Sequence, residues 1–397
     1  MTAIAPALRA LEDEMIAIRR RIHAHPELAY EEHATSELVA AELERAGYTV
    51  HRGIARTGVV ATLTCGGGTR RIGLRADMDA LPIHEQTGLP WASTLPGKMH
   101  ACGHDGHTAM LLAAARHLAH TRTFDGTLTL IFQPAEEGES GARRMLAEGV
   151  LERFPCDAVF AMHNMPGYPV GKLGFRSGPF MASVDDVGVT IRGYGGHGAM
   201  PHEAVDPVVV AAHVVVGLQS IVARNVPPLE TAIVTVGSIQ AGEANNVIPD
   251  TAELRMSVRA LSPAVRTLLH KRITALVEST AIAYGASAEV RFDNPFPVLV
   301  NDGPMTEFAR KVAIELVGED GLIPDLPRLT GSEDFSYFLE RSPGCYLIIG
   351  NGDGKGKGKG SCMVHNPGYD FNDDALITGA AYWVKLVESF LRPVRQD

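Results

Sequence analysis

The chain has 397 residues, 45% of them apolar and 21% charged, which is enough for two domains with a hydrophobic core in each. That balance excludes an intrinsically disordered chain, and a formal charge of -10 gives no basic surface for nucleic acid or an anionic membrane. No apolar run nears the ~18 residues of a membrane-spanning segment, and no secretory leader is legible, so a soluble cytoplasmic protein is expected. Cys65, Cys102, Cys156, Cys345 and Cys362 are scattered and odd in number, and read as reduced thiols.

In chain order, Leu8, Leu11, Met15, Ile18 and Ile22 mark one face of a first helix. Strands are expected at Thr57–Leu63, Arg71–Arg75, Leu128–Phe132 and Ala158–Met162, with helices at Thr108–Leu118 and Ala142–Glu148. This alternation predicts an α/β domain whose central, mostly parallel sheet is flanked by helices. Residues 184–293 change style. Strands at Val187–Arg192, Thr231–Ser238, Thr251–Val258 and Ala288–Phe292, with helices at Val205–Ile221 and Val265–Tyr284, spell the β-α-β-β-α-β order of a ferredoxin-like α+β domain. The first style returns with a helix at Met305–Val317, a strand at Tyr346–Gly350 and a helix at Ala375–Phe390. One discontinuous domain, 1–183 and 294–397, is therefore expected to carry the other as an insertion. The alternating Gly and Lys of Gly352–Gly360 cannot build a core and read as a solvated connection.

The chemistry-bearing residues sit where strands give way to loops. Cys102 and His104, in His100-Ala101-Cys102-Gly103-His104-Asp105-Gly106-His107, are a thiol and an imidazole on one side of an extended segment, a pairing that suits a transition metal. A loop with exposed histidines and one buried thiol fits the same residues. Gln133-Pro134-Ala135-Glu136-Glu137-Gly138 follows a strand, and adjacent carboxylates there suit one ligand and one general base, or a solvated surface. His163 just beyond a short strand, His365 in the loop before the last helix, and Asp77 and Asp79 after another strand complete the set. Either aspartate is placed to orient a ligand. In the inserted domain, His197 lies among glycines, while Asn246 and Arg259 stand at strand ends where an arginine can grip a carboxylate.

These motifs, together with Arg20-Arg21-Ile22-His23, Pro26-Glu27-Leu28 and Gly331-Ser332-Glu333-Asp334-Phe335, resemble the M20 metallopeptidase family along nearly the whole chain. Within it they are similar to the amidohydrolase branch of hippurate hydrolases, aminoacylases and auxin-conjugate hydrolases. The resemblance implies two divalent metal ions per subunit, manganese or zinc with cobalt or nickel compatible, held by Cys102, His104, Glu137, His163 and His365. It implies Glu136 as general base, a supporting role for Asp79, and substrate contacts from Asn246 and Arg259. It also implies a homodimer formed through the inserted domain, with His197 reaching the partner's active site. The expected reaction is hydrolysis of an N-acyl or N-aroyl amino acid. A dipeptidase or aminopeptidase, or a non-catalytic binding homologue, would share the scaffold. Met256, where the family pattern often has Gly, and the long Gly/Lys connection depart from it.

Overall fold

The computed structural model describes residues 4–355, 360 and 362–392, so most of the Gly/Lys connection lies outside the described residues. The chain folds as two compact units. One comprises the residues up to Gly178, Val300–Pro327 and those from Tyr337 on; the other comprises Pro179–Leu299 and Arg328–Ser336. The second is wider than the expected 184–293 and includes a return segment that no periodicity marks.

The first unit is built on a seven-stranded sheet in the order Thr49–Ile54, Gly58–Cys65, Gly126–Gln133, Arg71–Asp77, Ala158–Pro166, Gly344–Gly352, Leu173–Gly174. Its four middle strands, 126–133, 71–77, 158–166 and 344–352, run parallel. The strands beside them, Gly58–Cys65 and Leu173–Gly174, are antiparallel. Strand Gly126–Gln133 is buried along nearly all its length, with both faces covered: Leu128, Leu130, Ile131 and Phe132 are buried, and so is the polar Thr129 between them. Leu128, Leu130 and Phe132 join Leu74, Leu111, Leu347 and Trp383 in one core, packed by helices His104–Thr121 and Leu376–Phe390. Helix His33–Ala46, ended by the left-handed Gly47, was not expected from the sequence.

Parallel strands share a direction, so the loops that leave their carboxyl ends all emerge at one edge of the sheet. Asp77, Gln133, Pro166 and Gly352 end the four middle strands, which gathers the expected site segments there.

The second unit is a four-stranded antiparallel sheet in the order Ala232–Ala241, Thr251–Ala260, Ser183–Arg192, Ser287–Phe296, the ferredoxin-like arrangement. Strand Thr251–Ala260 alternates exposed and inward residues, and Ala252, Leu254, Met256 and Val258 face helices Pro207–Asn225 and Pro263–Ala283. Met256, at 4% exposure, is a filled core position. Both helices start on a capping side chain followed by proline: Asp206 accepts Val208 N–H, and Ser262 accepts Val265 N–H. Helix Pro207–Asn225 is, by length and composition, apolar enough to cross a membrane, although the sequence reading expected no such segment. Its inward residues Val210, Val214, Leu218 and Ile221 pack on the sheet.

Candidate metal centre

The Cys102–His104 pair is not extended as expected. Gly103 sits at φ 93°, a left-handed residue, and helix His104–Thr121 begins immediately after it. A Cβ at Gly103 would come within 2.2 Å of Asn164 Nδ2 and 2.4 Å of the Tyr369 hydroxyl, so only glycine fits. The turn still brings Cys102 and His104 together with His163, their ligand atoms lying within 4.8 Å of one another. Strand Ala158–Pro166 runs further than expected and places His163 inside it, not beyond it.

Two more groupings extend the cluster. Cys102, Glu137 and His365 form one, and His104, Glu136 and Glu137 another, each with its ligand atoms within 4.8 Å of one another. His365 is held at φ 66°, and its N–H donates to Ala101 O at 2.7 Å, which ties the late loop to the Cys102 segment. Its Nε2 stands 3.3 Å from Glu137 Oε1.

Hydrogen bonds set which ring nitrogen each histidine presents. His163 Nδ1 lies 2.6 Å from Asn164 O, so Nδ1 carries the proton and Nε2 faces Cys102 Sγ at 3.3 Å with its lone pair. His104 Nδ1 donates to Asp79 O at 2.9 Å in the same way. His104 Nε2 is buried with no hydrogen-bond partner among the described residues, and so is Glu137 Oε1. Buried polar atoms left over like this, facing one another across 3.9 Å, fit a cation between them.

The charges agree. Burial pushes His104 down, yet Asp77, Asp79 and Glu137 outweigh it and raise the ring to about 10. Burial and the Glu137, Glu136 and Asp77 carboxylates hold the Cys102 thiol well above its usual range. Burial, helped by His107, pushes His163 well below the usual histidine range. The cluster thus holds negative charge in excess, which a divalent cation would neutralise while freeing the thiolate. The residues present fit a metal site.

Asp77 has a different occupation. Arg75 Nη1 donates to its Oδ2 at 2.5 Å and His107 Nδ1 lies 2.6 Å from its Oδ1. Since Asn164 N–H donates to His107 Nε2 at 2.9 Å, the His107 proton is on Nδ1. Asn164 then donates to Cys102 O at 2.6 Å and accepts the Tyr369 hydroxyl at 2.7 Å. Sequence reasoning missed this chain of His107, Asn164 and Tyr369; the polar His163-Asn164 pair inside an apolar strand was its only local sign. His100, by contrast, is pushed down to about 4 by burial and is a neutral packing residue.

The remaining expected residues belong to the second unit. His197 pairs with Val247 in a two-stranded ribbon, and Gly198 N–H donates to Asn246 O at 2.8 Å. His197 and Asn246 are therefore neighbours, both exposed. Ala199 N–H donates to His197 Nδ1 at 3.0 Å, which leaves the ring proton on Nε2. Arg259 lies elsewhere, on strand Thr251–Ala260, with Nη1 donating to Thr330 O at 3.0 Å.

Residues 73–389 match the family described as Peptidase family M20/M25/M40. The hippurate hydrolase of Campylobacter jejuni is 42% identical over 389 residues, covering 98% of this chain and 100% of its own. An N-acetyl-L-cysteine deacetylase of Bacillus subtilis is 39% identical over 377 residues, covering 94% and 88%. The crystal structure of a dinuclear metal-binding M20 peptidase from Bacillus subtilis superposes with a TM-score of 0.83 at 34% identity, covering 97% of this chain and 100% of that one. The chain belongs to Peptidase family M20/M25/M40, among its amidohydrolases.

Proposed function

We propose that the protein hydrolyses the amide bond of N-acyl or N-aroyl amino acids, releasing a carboxylic acid and a free amino acid. The observation that carries this reading is Glu136, a buried carboxylate within 4.8 Å of His104 and Glu137 that, among the described residues, shares no such cluster with Cys102. It stands beside the ligand set without belonging to its thiolate end. The relatives that act on hippurate and on N-acetyl-L-cysteine support the substrate class.

In this reading Cys102, His104, Glu137, His163 and His365 would hold two divalent ions, and their grouping supports it. Manganese or zinc suits such a mixed sulfur, nitrogen and oxygen set, and cobalt or nickel is compatible. When bound, the ions lower the pKa of water and polarise the amide carbonyl. Glu136 takes the water proton on its carboxylate and passes it to the leaving amine nitrogen. Asp79 holds His104 and Glu137 in place. His197 donates from Nε2 to the developing oxyanion, and Asn246 and Arg259 bind the substrate carboxylate.

A homodimer formed through the second unit belongs to the same proposal. Val208, Val209 and Val216 on helix Pro207–Asn225 are 44%, 44% and 74% exposed, an apolar face without a partner among the described residues. Among the described residues, strand Ala232–Ala241 beside that helix is paired on one side only, by Thr251–Ala260. A second copy would cover both, and would bring His197 to its neighbour's site. All five cysteines are free, which suits the reducing cytoplasm.

The test is release of glycine from N-benzoylglycine, and of amino acids from N-acetyl amino acids, before and after chelation and with manganese or zinc restored. Chelator-sensitive release is the expected result. Faster cleavage of free-amine dipeptides would replace this reading with a dipeptidase, and no turnover with any metal would reject hydrolysis of these conjugates.

A further inference from the structure

The turn that presents Glu136 and Glu137 is conformationally unusual. Ala135 lies at φ 56°, Gly138 at φ 88° and Ser140 at φ 55°. Glycine adopts such angles readily, whereas alanine with its Cβ does so only when its surroundings impose it. Ala135 is fully buried, and both of its backbone groups are held. Its carbonyl accepts Gly141 N–H at 2.9 Å, and its N–H donates to Glu32 Oε1 at 2.9 Å.

Glu32 is placed for this contact at the expense of a local one. It is the N-cap residue of helix His33–Ala46, yet its side chain makes no cap bond. Glu27 does that work instead, accepting the Ala34 and Thr35 N–H groups at 2.9 Å each. The Glu32 carboxylate crosses to the far segment, taking Ala135 N–H on one oxygen and the Thr57 hydroxyl on the other. Burial pushes it up to about 7, so the placement does not favour the carboxylate for its own sake. The neighbouring Tyr30 hydroxyl donates to Glu139 O at 3.2 Å, a second tie from the same N-terminal turn to the same loop.

We propose that Glu32 is a positioning residue for the reaction: by holding Ala135 N–H it imposes the left-handed turn that sets Glu136 and Glu137 in register. This rests on the reading of Glu136 as base and Glu137 as ligand. Among the described residues, Glu32 belongs to none of the candidate ligand groupings, so its part is to position rather than to ligate.

The test uses full-length, metal-replete enzyme as wild type, E32A, E32Q, A135G and E32A/A135G. Because a small displacement of a catalytic group can cost up to about 10²-fold, E32A is expected to lower kcat by about tenfold or more with KM changed far less. E32Q keeps an amide oxygen for Ala135 N–H and should recover most of that loss. E32A/A135G should also recover part of it, since glycine adopts φ 56° without the tie. If E32A does not fold, E32D, charged but one methylene short of Ala135, replaces it with the same expectation. Metal affinity, measured by competition with a chelator, should weaken in E32A and recover with A135G, because Glu137 moves with the turn. That readout stands even if wild type cleaves no N-acyl amino acid, so failure of the substrate reading is separable from failure here. A lower melting temperature with unchanged kcat and metal affinity, or an absence of rescue by both E32Q and A135G, overturns the proposal.

Discussion

Asp79 restrains two candidate ligands at once: its Oδ2 accepts the Glu137 N–H at 2.9 Å, while its Oδ1 lies 3.3 Å and its carbonyl oxygen 2.9 Å from His104 Nδ1. Groups that orient a ligand commonly govern metal affinity by about 10–100-fold. Asp79→Ala is therefore expected to weaken metal binding within that range. Asp79→Asn, which keeps one acceptor oxygen, should lose less. Competition titration with a chromophoric chelator measures both, and unchanged affinity in Asp79→Ala would remove the residue from the site.

Glu136→Gln separates base from ligand. It keeps the shape of the side chain and removes its proton acceptor, so turnover should fall by about 10²–10⁴-fold. Metal content measured by mass spectrometry should stay at the wild-type value. Loss of metal instead would make Glu136 a ligand.

Gly103→Ala tests the turn between Cys102 and His104. The added methyl meets Asn164 Nδ2 and the Tyr369 hydroxyl, and the left-handed φ adds about 1–2 kcal/mol of strain. The expected outcome is reduced metal stoichiometry in a folded protein, read by circular dichroism beside metal analysis. Full occupancy would show that the loop yields without cost to the ligands.

In the second unit, Asp185 is buried and accepts Arg266 Nε and Nη2 at 2.9 and 2.7 Å, with His270 Nε2 3.0 Å away. Burial acts to raise its pKa, but His270 and Arg266 outweigh it and hold it below the usual carboxylate range. A depressed folded pKa gives stability that is present above the unfolded value of about 3.9 and lost as pH falls through the folded one. Asp185→Asn should cost about 1.5–3 kcal/mol at neutral pH. The gap to wild type should narrow below about pH 4. Denaturant melts at pH 7 and pH 3 check this, and a pH-independent gap would contradict it.

Val216→Asp puts a charge on the exposed apolar face of helix Pro207–Asn225. If two copies meet there, sedimentation should show a shift from dimer to monomer, with loss of turnover because His197 no longer reaches its neighbour. An unchanged sedimentation coefficient would move the interface elsewhere.

Much of the fold was legible because the parallel strands are short apolar runs stopped by Gly, Pro and charged residues, and because Thr251–Ala260 alternates cleanly. Helix His33–Ala46 was not legible: Glu37, Glu42 and Glu44 dilute its apolar face, and Glu32 stands where Ser, Thr, Asp or Asn would signal a start. The cluster of Cys102, His104, Glu136, Glu137, His163 and His365 could be anticipated from residue type and loop position. The residues that orient it could not. Asn164 meets Tyr369 across 205 positions and His107 across 57, distances over which no periodicity carries a signal. The left-handed Gly103 was equally hidden, since a glycine in sequence shows freedom but not the sign of φ.

The insertion of one unit into the other also fixes an order of events during synthesis. Cys102, His104, Glu137 and His163 leave the ribosome before the ferredoxin-like unit, and His365 leaves after it. Strand Gly344–Gly352, which seats between Ala158–Pro166 and Leu173–Gly174, is equally late. Until it arrives, one margin of Ala158–Pro166 offers bare backbone groups to any passing strand. A ribosome stalled within the insertion would thus hold a chain able to bind a metal incompletely and to aggregate through that margin, so completion of the centre reports that the insertion and strand Gly344–Gly352 have been made.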